Sequence, residues 1–63
     1  MKDLIYFSEQ MKSIKEGVLH FYIHNCKNGF KQAILEHRIN GSIVAAWMAC
    51  DTEESNYLIE NFK

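Results

Sequence analysis

The 63-residue chain is 48% hydrophobic and 24% charged, has no proline and two cysteines, and carries a formal net charge of −1. That size allows one small domain. The apolar content excludes a disordered chain, which pairs few apolar residues with high net charge, and the short length argues against the usual cofactor-binding and hydrolase folds.

Residues 3–16 read as an amphipathic helix. Leu4, Phe7, Met11, Ile14 and Val18 recur at alternating three- and four-residue steps, which places them on one stripe. Asp3 can cap the start, and Gly17 suits the left-handed position just past the end. Residues 18–26, rich in β-branched and aromatic side chains, read as a strand. Asn28-Gly29 fits a two-residue hairpin turn, as does Asn40-Gly41. These turns bound a second strand over 30–39 and a third over 42–50, although Ala45-Ala46-Trp47-Met48-Ala49 is also a helix-compatible run. Asp51 and Glu54 have capping-box spacing at the head of a last helix ending near Phe62. Acidic residues lie in its first turn, where the helix dipole favours them. The expected fold is a small α+β domain of order α-β-β-β-α, a three-stranded antiparallel meander flanked by terminal helices.

Two-residue turns dictate a register. Tyr22 would face Leu35, His20 would face His37, and Leu35 would face Ala46. One face would then carry Val18, His20, Tyr22, His24, Ala33, Leu35, His37, Val44, Ala46 and Met48, and the helices would cover it. The other would gather Phe21, Ile34 and Trp47 beside Glu36 and Arg38. An aromatic anchor with a charged rim is the composition of interface hot spots. Phe21, Ile34, Glu36, Arg38 and Trp47 are therefore the expected protein-binding residues.

Other chemistry finds less support. His20 and His24 lie about 13 Å apart along a strand, too far to share a tetrahedral metal site with bonds of roughly 2.0–2.3 Å. The expected register also separates Cys26 from Cys50 by about 10 Å, beyond disulfide reach. Neither cysteine meets a histidine at hydrogen-bond distance, so no nucleophilic centre is expected, nor a cofactor, nor an enzyme. The longest uncharged run, from Ile39 to Cys50, is well short of the roughly 20 residues that span a bilayer. The first ten residues carry charge where a secretory signal would be apolar. A cytoplasmic location with reduced thiols follows as the expectation.

The element order resembles that of double-stranded-RNA-binding domains. That family starts its last helix with lysines, whereas this chain has Asp51-Thr52-Glu53-Glu54-Ser55, which repels phosphate. Charge is split mildly, with five lysines against three acids in residues 1–31 and two bases against five acids in residues 32–63. The expected function is a non-catalytic regulatory module that binds and modulates, or inhibits, another protein. Its economy is that of many phage and mobile-element proteins, and its small core favours a homodimer. A nucleic-acid-binding regulator is the alternative expectation.

Overall fold

The computed structural model describes all 63 residues. Helix α1 (Lys2–Lys12) leads into strands β1 (Val18–Asn25), β2 (Lys31–Ile39) and β3 (Ser42–Met48), and helix α2 (Thr52–Phe62) closes the chain. The expected α-β-β-β-α order is the observed one, and 42–48 is strand rather than helix. The sheet is antiparallel with β2 in the middle.

The register differs from expectation by one residue, and the two turns show why. At Asn40-Gly41 both residues take positive φ, 54° and 81°, as a two-residue type I′ reversal requires. At the first turn only Gly29 does, with φ 87°. There Cys26 N–H donates to the Phe30 carbonyl at 2.9 Å, so the loop holds three residues, Lys27, Asn28 and Gly29. A three-residue loop ends in a left-handed residue, and the Asn28 side chain accepts from Phe30 N–H at 2.9 Å to brace it. Phe21 therefore faces Leu35, Tyr22 faces Ile34 and His20 faces Glu36. On the other side Ile39 pairs Ser42 as expected, but a bulge between the pairs Arg38–Ile43 and His37–Ala45 inserts Val44 and shifts the rest of β3. Leu35 then faces Trp47.

Because opposite residues share a face, one side of the sheet carries Phe21, Ile23, Ala33, Leu35, Ala45 and Trp47. Both helices lie on that side. Leu4 and Met11 of α1 and Leu58 of α2 bury against Ala33, Leu35 and Ala49, with Phe7, Phe21, Trp47 and Phe62 packed around them. Each fully buried leucine here stabilises the fold by roughly 1.5–3 kcal/mol. The two helices also meet directly, where Lys12 donates to Asn61 Oδ1 at 2.6 Å and lies 5.7 Å from the centre of the Phe62 ring.

α2 is fixed to the sheet by its first turn. Asp51 caps it by accepting from Glu54 N–H at 2.9 Å. The Glu54 carboxylate reaches back to accept from Cys50 N–H and from the Trp47 indole, both at 3.0 Å. Beyond Met48 only half of the ladder pair persists, with Ala49 N–H donating to the Ala33 carbonyl at 3.0 Å, and Ser55 supplies the missing partner. Its hydroxyl accepts from Ala33 N–H at 3.1 Å and donates to the Lys31 carbonyl at 2.9 Å. Without it a buried backbone donor would go unpaired, at a cost of about 1–3 kcal/mol.

α1 ends at Lys12 rather than near residue 16, with Ser13 N–H bonding back to the Gln10 carbonyl. No side chain caps its start; Asp3 sits inside the first turn. Residues 13–17 instead cross to β1, letting Ile14 join the core. Gly17 makes that crossing possible. Its φ is 85°, and a Cβ there would fall 2.3 Å from the Arg38 carbonyl oxygen. The neighbouring Glu16 carbonyl accepts from His37 Nε2 at 2.7 Å.

Gly29 shares the left-handed backbone but has open space around it. Gly29→Ala should therefore cost about 1–2 kcal/mol, the left-handed penalty alone. Gly17→Ala should cost clearly more, because backbone must also move. Urea unfolding of the two variants measures this; equal losses would mean that the crossing is not seated against β2.

Candidate interaction surface

The face turned away from the helices carries Val18, His20, Tyr22 and His24 from β1 and Gln32, Ile34, Glu36 and Arg38 from β2. β3 adds Ile43, Ala46 and Met48, together with Val44 from the bulge, where two residues oppose one. Neither helix reaches it. The molecule is accordingly thin, 17 Å in its shortest dimension against 35 Å in its longest, as expected of one helical layer on one sheet.

At the centre of this face is a carboxylate. Glu36 is only 6% exposed although it points away from the helices. Tyr22 and Arg38 cover it. The Tyr22 hydroxyl donates to Oε2 at 3.0 Å, and Arg38 donates to Oε1 through Nε at 2.9 Å and a terminal nitrogen at 2.6 Å. Arg38 sits two residues along the same strand, so both side chains project from one face. Burial alone would raise the Glu36 carboxyl, but the hydrogen bonds from Arg38 and Tyr22 outweigh it and hold the group below its ordinary value. Tyr22 moves the other way, because donation to Glu36 favours its neutral phenol. The His20 ring lies 5.1 Å from the Tyr22 ring and extends this cluster across β1.

Around the cluster the face is apolar. Val18 is 63% exposed, Ile43 53%, Val44 55% and Met48 60%. Single exposed apolar residues are ordinary, but here four share one open face: Val18, Ile43 and Val44 beside Arg38, and Met48 beside Ile34, a concentration of the kind found at interaction surfaces. No pocket indents this surface.

Of the residues expected to bind protein, Ile34, Glu36 and Arg38 lie here together. Phe21 and Trp47 do not; they face the helices. The Trp47 ring packs at a tilt of 46° against Phe7, with centroids 5.5 Å apart, and its indole N–H donates to Glu54. The assignment of both to the docking face is corrected by the three-residue turn and the Val44 bulge, which reverse β1 and most of β3 relative to the expected alternation. Val18, Tyr22, Val44 and Met48, expected under the helices, are outside for the same reason. The expected His20–His37 pair is absent too, since His20 faces Glu36 and His37 faces Leu19 on opposite sides of the sheet. No three His, Cys, Asp or Glu side chains converge on a point that could hold a metal ion. Comparison with known protein families, curated proteins and solved structures finds no match to this chain.

The electrostatics give a pH profile. The indole of Trp47 and the Cys50 N–H hold Glu54 below its ordinary value of 4.5, as the cluster does Glu36. A carboxyl whose folded value is depressed adds stability above its unfolded value, and that stability is lost as pH falls through the folded one. Tyr22, raised from 10.0, stabilises the fold at neutral pH and ceases to as pH rises through its folded value. The urea midpoint should thus drop below about pH 4.5 and again above about pH 10. Glu54→Gln should flatten the acid limb, and an unchanged acid limb would show that Glu54 is not tied to Trp47.

Proposed function

We propose that this chain is a non-catalytic interaction module that docks the open face of its sheet on another protein and modulates that protein, inhibiting it where the covered surface is functional. The reading rests on one observation: an uncovered sheet face on which exposed Val18, Ile43, Val44 and Met48 surround the shielded Glu36. The apolar side chains supply area. Arg38 keeps donor capacity beyond its two bonds to Glu36, so a carbonyl or carboxylate on the partner fixes orientation. Holding Glu36 in hydrogen bonds before contact means that docking need not desolvate a bare charge. A cytoplasmic setting suits the two free thiols, and no helix is long and apolar enough to cross a membrane.

Met48→Glu and Ile43→Asp place charge near the two ends of β3 on this face without touching the core. Tagged wild-type protein should retain a host partner that both variants release, while their melting temperatures stay within a few degrees, as surface changes of about 0.5 kcal/mol allow. Equal retention by the variants, or salt-sensitive binding to generic nucleic-acid duplexes in its place, would overturn the reading.

A further inference from the structure

The sheet has two edges, and they differ. β3 is interrupted by the Val44 bulge, and beyond the bulge only Ala46 and Met48 turn their backbone groups outward. β1 runs eight residues, Val-Leu-His-Phe-Tyr-Ile-His-Asn. It has no bulge, and it contains no proline, lysine, arginine, aspartate or glutamate. These are the devices by which proteins blunt an open edge, and β1 has none of them.

The hairpin fixes which groups the edge presents. Cys26 bonds to Phe30 across the hairpin, so the even-numbered residues of β1 turn their N–H and C=O toward β2. Leu19, Phe21, Ile23 and Asn25 turn theirs outward.

We infer that β1 pairs antiparallel with β1 of a second copy about a two-fold axis normal to the sheet, joining two meanders into one six-stranded sheet. The sequence is self-complementary in that arrangement. An axis through Tyr22 engages all four outward residues, pairing Leu19 with Asn25 and Phe21 with Ile23 of the second copy. An axis through Phe21 would engage three and set Asn25 against Gly17, which is not in strand conformation. On the helix side, the pairing places aromatic Phe21 against β-branched Ile23 twice, a favoured cross-strand combination, and extends each core toward the other. On the open side, Tyr22 meets its own copy and His20 meets His24 of the second copy, with Cα atoms about 4.5 Å apart. The strand's lack of formal charge leaves no repulsion to oppose self-pairing. The open faces of both copies then lie side by side, doubling the surface that a partner meets. This inference stands independently of the proposed function.

Sedimentation velocity and amide hydrogen exchange test it on the intact chain. At roughly 100 µM, well above a micromolar Kd, the wild type should sediment at twice its 7.4 kDa mass. The amides of Leu19, Phe21, Ile23 and Asn25 should gain protection as concentration rises. The H20K/H24K variant sets lysine against lysine across the axis and should raise Kd at least tenfold. H20K/H24E sets lysine against glutamate in the same positions and should restore the dimer. Both sites are exposed, and far-UV circular dichroism confirms that each variant is folded. A wild type that stays monomeric, outward amides that remain unprotected, or equal association of the two charge variants would each overturn it.

Discussion

Everything in this molecule follows from the parity of its central strand. β2 sends Ala33 and Leu35 toward the helices and Ile34 and Glu36 away from them, and a slip of one residue exchanges every side chain between core and solvent. Two local features fix which residues of the neighbouring strands share those faces. The three-residue loop at Lys27–Gly29 sets Phe21 opposite Leu35, and the Val44 bulge sets Trp47 opposite Leu35 from the other side. The three side chains thus form one row under the helices. α2 is then seated by polar contacts at the sheet's end, with Ser55 completing the β2 ladder and Glu54 gripping Trp47.

The same parity leaves a second row exposed, in which Tyr22, Glu36 and Arg38 are hydrogen-bonded into one unit. An acid on a mostly apolar face would ordinarily keep that face wet. Here Arg38 neutralises it and Tyr22 donates to it from β1, so the carboxylate is satisfied within the protein, as the proposed docking requires. Aromatic anchoring, which the composition assigns to Trp47 at an interface, serves inside the molecule, where the ring meets Phe7 of α1 and Glu54 of α2. The docking surface proposed for the open face would rely on aliphatic side chains, one methionine and an arginine instead.

Element order was legible because its signals are local. Two Asn-Gly turns, an Asp51–Glu54 cap and β-branched runs each mark a boundary within a few residues. The faces were harder to read, because parity depends on one residue of loop length. Lys27-Asn28-Gly29 satisfies a two-residue turn and a three-residue turn equally, since both end in a left-handed glycine. The bulge at Val44 has no mark in its sequence, Ser-Ile-Val-Ala-Ala. The left-handed backbone expected at Gly17 is present, but not as a helix end, since α1 stops at Lys12, and its close approach to the Arg38 carbonyl is a tertiary fact. Ile34, Glu36 and Arg38 can be grouped from sequence because they alternate along one strand and need no cross-strand register. The faces of Phe21 and Trp47 do depend on that register, which is why the structure places them differently from expectation.

Cross-strand nuclear Overhauser effects between Hα protons decide the parity directly, since only non-hydrogen-bonded opposite residues bring their Cα atoms to about 4.5 Å. The structure requires cross-peaks between Phe21 and Leu35 and between Ile23 and Ala33. Cross-peaks between Tyr22 and Leu35 and between His24 and Ala33 in their place would contradict it, turning Phe21 outward and ending the account of both faces.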